Sequence, residues 1–142
     1  MWLSKNFHAD EFRCRCADAG KYKPGTQSEY CGGLAIVQPV LVEKLQELRD
    51  RFGAPVVITS GYRCPAYNRK VVKGSEMSWH MSGYAADIWV RGVNVLEVGK
   101  VADELGFRGI EVYPDKGFVH VDMRPWGAVW RGDNYRRLIG NA

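Results

Sequence analysis

The apolar pattern changes its period within a few residues, and that change restricts the fold more than any other feature of the chain. Across residues 34–52, Val37, Leu41, Leu45, Leu48 and Phe52 recur at three and four residues, while Glu43, Lys44, Glu47 and Asp50 cover the other side. This spacing predicts an amphipathic helix. Pro39 belongs in its first turn, where a missing N–H costs little, and Gly53 is a natural stop. Val56-Val57-Ile58-Thr59-Ser60 follows at once and has the β-branched composition of a buried strand.

The rest of the chain alternates in the same way. In 85–90, Ala85, Asp87 and Trp89 share one face of a predicted strand, and Ala86, Ile88 and Val90 share the other. Gly92 breaks it. Val98, Val101, Ala102 and Leu105 mark a second amphipathic helix over 95–105, with Gly106 as its cap. Residues 109–114 and 118–123 predict a hairpin around Asp115-Lys116-Gly117, with Phe118, His120 and Asp122 on one face of its second arm. Between these elements, Gly61 to Pro65 turns out of a strand, residues 66–70 form a helical turn, and 73–76 form a loop. The order helix, strand, loop, strand, helix, hairpin predicts an α+β fold with a small, mainly antiparallel sheet and flanking helices.

At 142 residues the chain is expected to be a single domain. Residues 1–33 read as a cysteine-containing N-terminal extension, 34–124 as the core, and 125–142 as a polar, Trp-containing tail. Within the extension, His8 to Phe12 is expected to be a short turn docking Phe7 and Phe12 on the body, with His8 as a surface or capping residue. The segment 13–33 is irregular, with breakers at Lys23-Pro24-Gly25 and Gly32-Gly33. Its cysteines, Cys14, Cys16 and Cys31, together with Cys64, leave three readings open: reduced buried thiols, one or two disulfides, or a structural metal. Their spacing is not that of a standard zinc finger.

Composition removes some functions. The hydrophobic fraction is 46%, the charged fraction 25%, and the formal net charge only +4. No basic run is interleaved with aromatics, so a nucleic-acid partner is not expected, and no apolar stretch has the length of a membrane span. The first residues lack the basic-then-apolar pattern of a signal peptide. The expectation is a chain made in the cytoplasm and acting as a monomer, delivered by other means if its target lies outside.

The chemistry is concentrated in Ser78-Trp79-His80-Met81-Ser82-Gly83-Tyr84-Ala85-Ala86-Asp87 and in Phe118-Val119-His120-Val121-Asp122. These stretches hold two of the three histidines. His80 on a loop, Asp87 on one strand and His120 on another suit a catalytic zinc, which takes three protein ligands and keeps one position for water. A histidine on a strand is more often structural, and His-x6-Asp alone says little. The signal comes from the combination. Arg63, just past a strand end, could pair with a substrate carboxylate, stabilise an oxyanion, or form an ordinary salt bridge. Asp122 could act as general base or orient a ligand, with Glu111 competing for the base role. Trp79, Tyr113, Trp126 and Trp130 could wall a cleft or simply pack.

Three stretches carry a family resemblance: Ser60-Gly61-Tyr62-Arg63-Cys64-Pro65, Ser78-x-His80-x-x-Gly83-x-Ala85-x-Asp87, and Gly117-Phe118-Val119-His120-Val121-Asp122. In this order and at these separations, over about 34–124, they resemble the zinc D-Ala-D-Ala carboxypeptidase family of metallopeptidases, which includes related phage endolysins. The resemblance implies a hedgehog/DD-peptidase-type fold and one catalytic Zn2+. It also implies cleavage of peptidoglycan stem peptides, in lysis or wall remodelling, so that the site of action is the cell wall. His80, Asp87 and His120 match the zinc ligands, and Arg63 matches the arginine that binds substrate or stabilises the transition state. Some relatives carry an acidic base three residues before the last histidine. Here that position is Gly117, which makes Asp122 the first choice for the catalytic role and Glu111 the second. A recognition module that binds zinc without catalysis is the alternative.

Overall fold

The amphipathic run folds as α1 (Pro39–Phe52), which buries Leu41, Val42, Leu45 and Leu48. The computed structural model describes residues 1–22, 28–75 and 77–140. The Lys23-Pro24-Gly25 breaker and Glu76 of the 73–76 loop lie outside the described residues. The helix starts at Pro39 rather than at Leu34, because the preceding residues bond elsewhere. The Cys14 N–H donates to the Leu34 carbonyl (2.7 Å) and the Gln38 N–H to the Gly83 carbonyl (3.0 Å). At the other end Gly53 takes the left-handed conformation (φ 59°) and its N–H closes on the Arg49 carbonyl, the glycine stop expected of this position.

The sheet contains β1 (Val56–Ser60), β2 (Ala85–Val90), β3 (Gly109–Tyr113), β4 (Phe118–Asp122) and β5 (Trp130–Arg131). Their spatial order is β1-β2-β4-β3-β5. All pairs are antiparallel except β3 with β5, which is parallel. The hairpin β3–β4 turns through Gly117 at φ 76°. One face of β2 (Ala86, Ile88, Val90) is buried in a single cluster with Leu41, Leu45 and Leu48 of α1 and with Val98, Val101 and Ala102 of α3 (Val95–Glu104). A short helix α2 (Pro65–Tyr67) runs into a π turn over Asn68–Val72.

Both chain ends belong to this body. Phe7, just ahead of the 3₁₀ turn Ala9–Phe12, and Phe12, its last residue, are each 1% exposed in the main core. His8 caps that turn: its Nδ1 accepts from the Asp10 N–H (3.1 Å), while Glu11 bonds back to the His8 N–H (2.7 Å). Beyond residue 125, where a polar tail was expected, Trp130-Arg131 adds the edge strand and α4 (Asp133–Leu138) buries Tyr135. The sequence there has too few apolar residues to show periodicity. The strand is two residues long, and a single aromatic anchors the helix.

Candidate metal centre

Register builds the site. Ser60 lies opposite Asp87, Asp87 opposite His120, and His120 opposite Glu111. Directly opposed residues of antiparallel strands project to the same face, so these four form one polar row across the sheet, on the side away from the main core. The next row places Ala85, Asp122 and Gly109 side by side. His80 reaches the row from outside the sheet. It sits in a 3₁₀ turn (Trp79–Ser82) whose first residue is preceded by Ser78, which accepts the His80 N–H at its Oγ (3.3 Å). Gly83 ends the turn at φ 80°. A Cβ there would come within 2.6 Å of the Ile36 carbonyl, so position 83 needs glycine on both counts.

The result is a convergent donor set. His80 Nε2 lies 3.2 Å and His120 Nδ1 3.4 Å from Asp87 Oδ1. One ligand atom from each of the three residues falls within 4.8 Å of the others. Each imidazole is held by its far nitrogen. His80 Nδ1 is 2.8 Å from the Gly61 carbonyl, which can only accept, so Nδ1 carries the proton and Nε2 has a lone pair for a metal. His120 Nε2 is 2.8 Å from Asp122 Oδ2, which leaves Nδ1 facing Asp87. Such partners fix the tautomer and ring orientation of metal-binding histidines, so these residues fit a divalent metal of the zinc type.

Charge on the three groups follows from their surroundings. Burial pushes the His80 imidazolium down, more than Asp87 pulls it up, so His80 stays neutral. Burial also disfavours charge on His120, but the Asp122 and Asp87 carboxylates outweigh it and raise its pKa to about 9. For Asp87, burial favours the neutral acid; the neighbouring His120 and, after it, His80 overcome this and hold it well below the usual carboxylate range.

Arg63 is bound into the same network. Its Nη2 donates to Asp87 Oδ2 (2.8 Å), its Nε to Ser60 Oγ (3.0 Å) and its Nη1 to Asn68 Oδ1 (3.4 Å). The pair with Asp87 is nearly buried rather than a surface salt bridge, at 12% and 9% side-chain exposure. Asp87 and His120 of the row, with His80 and Arg63, lie in a cleft of about 500 Å³ whose lining includes Trp79, Tyr113, Lys116, Phe118, Arg124 and Trp130. Trp126 stands behind Trp79, with ring centroids 5.2 Å apart.

Asp122 and Glu111 are placed differently from the general-base reading. Asp122 is fully buried; Oδ2 meets His120 Nε2, and both oxygens take hydrogen bonds from Arg124. Burial alone would raise its pKa, but Arg124 and then His120 keep it ionised. It lies behind His120, on the side away from Asp87. Glu111 is buried too, and its carboxylate accepts the N–H groups of Val112, Asn134 and Tyr135, which fastens the start of α4. Neither lines the cleft. Sequence reasoning missed Ser60, Asn68 and Arg124 as supports of the site. Only the register of Ser60 could have been found, by extending the polar row to the strand ahead of Arg63.

The family comparison agrees with this geometry. The Peptidase M15 profile matches residues 5–122, beginning well before the stretch that carried the resemblance. The probable peptidoglycan L,D-endopeptidase MepK of Haemophilus influenzae is 30% identical over 103 residues, covering 68% of this chain and 55% of that protein. The peptidoglycan L,D-endopeptidase MepK of Escherichia coli is 30% identical over 95 residues, covering 63% of this chain and 52% of that protein. The chain thus spans about half the length of the curated relatives it matches. With the profile extending across most of the chain and over all three residues of the donor set, the chain belongs to the Peptidase M15 family.

Proposed function

We propose that this chain hydrolyses peptide bonds in peptidoglycan stem peptides at a zinc ion held by His80, Asp87 and His120. The observation that carries the reading is the pair of tethered imidazoles, each fixed at its far nitrogen and aimed with its near one at Asp87 Oδ1. A bound zinc supplies Lewis-acid chemistry, polarising a carbonyl and acidifying water to near neutral pH. The remaining work falls to the chain. Arg63 holds Asp87 in place, and of its five N–H groups three are taken by partners among the described residues. The other two are available to a substrate carboxylate or a developing oxyanion. Asp122 is a positioning residue that acts through His120. Lys116 and Arg124 make the cleft cationic, which suits stem peptides with their several carboxylates, and the aromatic walls suit an extended peptide.

Of the two reactions implied by the family resemblance, endopeptidase cleavage is favoured over D-Ala-D-Ala carboxypeptidase action, because the relatives are named L,D-endopeptidases. A wall-lysis or wall-remodelling role follows from either. One observation favours the non-catalytic alternative: among the described residues no carboxylate besides Asp87 lines the cleft, so no general base is in view. Digestion of purified peptidoglycan, followed by mass spectrometry of the fragments, separates these readings. The expected result is new amino groups within stem peptides, lost on chelation and in His120→Ala. Release of D-Ala alone would assign the carboxypeptidase reaction. Stoichiometric zinc with an uncut wall would sink the catalytic reading and leave a zinc-binding recognition module.

A further inference from the structure

We propose that Cys14, Cys16, Cys31 and Cys64 bind a second, structural zinc ion that clips the N-terminal segment to the loop carrying Arg63. The four residues come from three separate places in the chain, yet their sulfurs all lie within 4.8 Å of one another. The Cys14–Cys64 and Cys16–Cys31 sulfurs are each 3.7 Å apart. A disulfide needs about 2.05 Å. A zinc tetrahedron with Zn–S bonds of about 2.3 Å has sulfur–sulfur edges of about 3.8 Å, which matches the spacing of both pairs.

Backbone N–H groups are aimed at two of the four sulfurs. The Gly32 N–H donates to Cys16 Sγ and the Cys64 N–H to Cys14 Sγ, both at 3.3 Å. Neutral thiols gain little from such donors, because sulfur is a weak acceptor until it is ionised. Gly32 and Gly33 have φ of 79° and 104°, and a Cβ on Gly32 would press into the Tyr22 ring at 2.8 Å. The turn that aims the Gly32 N–H at sulfur is therefore a glycine turn with no space for a side chain. Cys14, Cys16 and Cys64 are buried with Tyr62 in a cluster of their own, apart from the main core. This four-sulfur set is a closed structural zinc site, with no open position for substrate, unlike the His80–Asp87–His120 set.

The location explains what a clip would hold. Cys64 follows Arg63, whose N–H donates to the His80 carbonyl (3.2 Å), and Gly61 supplies the carbonyl that fixes His80 Nδ1. A metal at the four sulfurs fastens the 61–64 loop from behind and so fixes the position of Arg63 and of the His80 anchor.

The test uses the full chain, expressed with zinc and purified anaerobically. Zinc measured against protein is expected at two per chain, falling to one in a His80→Ala/His120→Ala variant that leaves the cysteines untouched. With cobalt replacing zinc in that variant, an intense near-ultraviolet sulfur-to-cobalt charge-transfer band is expected, which nitrogen and oxygen ligands do not give. Cys31→Ser, altering the least buried ligand, is expected to weaken the band, and Cys14→Ser/Cys31→Ser to weaken it further. No step depends on wall cleavage, so the outcome is independent of the peptidase reading. A double-histidine variant that folds but holds no metal, or an anaerobic protein whose mass shows two disulfides, would overturn the proposal.

Discussion

His120 sits between two carboxylates, and in the metal-free chain that decides its protonation. Burial works against the imidazolium, but Asp122 and Asp87 raise its pKa from 6.5 to about 9. A folded pKa above the unfolded one means stability that is complete below about 6.5 and lost as pH rises through about 9. Zinc must displace this proton, so binding at neutral pH should release it. In the chelated protein, NMR titration of the ring protons is expected to show His120 with a midpoint near 9 and His80 below 6.5, with neither titrating once zinc is added. A His120 midpoint at or below 6.5 would mean that the two carboxylates do not control it. Asp122→Asn tests the same contact differently. It removes the charge that holds both His120 and Arg124. Zinc affinity is expected to fall roughly 10–100-fold, as when other orienting partners are lost. Competition with a chromophoric chelator measures this. Unchanged affinity would show that Asp122 does not position the ligand.

The strands explain why the orienting and capping carboxylates look alike in sequence. Alternation alone placed His120 and Asp122 on one face and put Glu111 across the hairpin, and all of that is present. What alternation cannot reveal is which neighbour takes each carboxylate. That depends on Arg124 folding back over Asp122 and on α4 presenting its N–H groups to Glu111, and both partners lie outside the predicted strands. Glycine makes room for each: a Cβ on Gly109 would overlap the Asp122 carboxylate, and one on Gly132 would overlap Glu111. Gly109→Ala is therefore expected to cost about 1–3 kcal/mol, as overpacking does, and to weaken zinc binding by displacing Asp122. Urea unfolding and zinc titration together check this. Glu111→Gln should cost about 1 kcal/mol through loss of a charged cap, with zinc content and any wall cleavage retained. If cleavage collapsed while zinc stayed bound, Glu111 would be the base after all.

Across the whole molecule, α1, α3, the first four strands and the convergence of His80, Asp87 and His120 were legible because each rests on a local pattern of apolar period or motif spacing. The roles of the two ends were not. Nothing local in Asp10-Glu11-Phe12 says that this turn lies under the Arg63 loop. Yet the Tyr62 N–H donates to the Phe12 carbonyl (2.8 Å), and a Cβ on Gly61 would meet Phe12 Cα at 2.7 Å. The N-terminal segment is thus a floor for the loop whose Gly61 carbonyl holds His80. Comparing two core phenylalanines separates this role from ordinary packing. Phe7 and Phe12 are equally buried and adjacent, with ring centroids 6.2 Å apart. Either Phe7→Ala or Phe12→Ala is expected to cost about 3–5 kcal/mol of stability. Phe12 is the one whose backbone meets the Gly61 loop, so loss of its anchoring ring should let that backbone shift and also weaken zinc binding at His80, measured under conditions where both variants remain folded. Equal zinc affinity in the two variants would mean that the N-terminal segment stabilises the fold without positioning the metal centre.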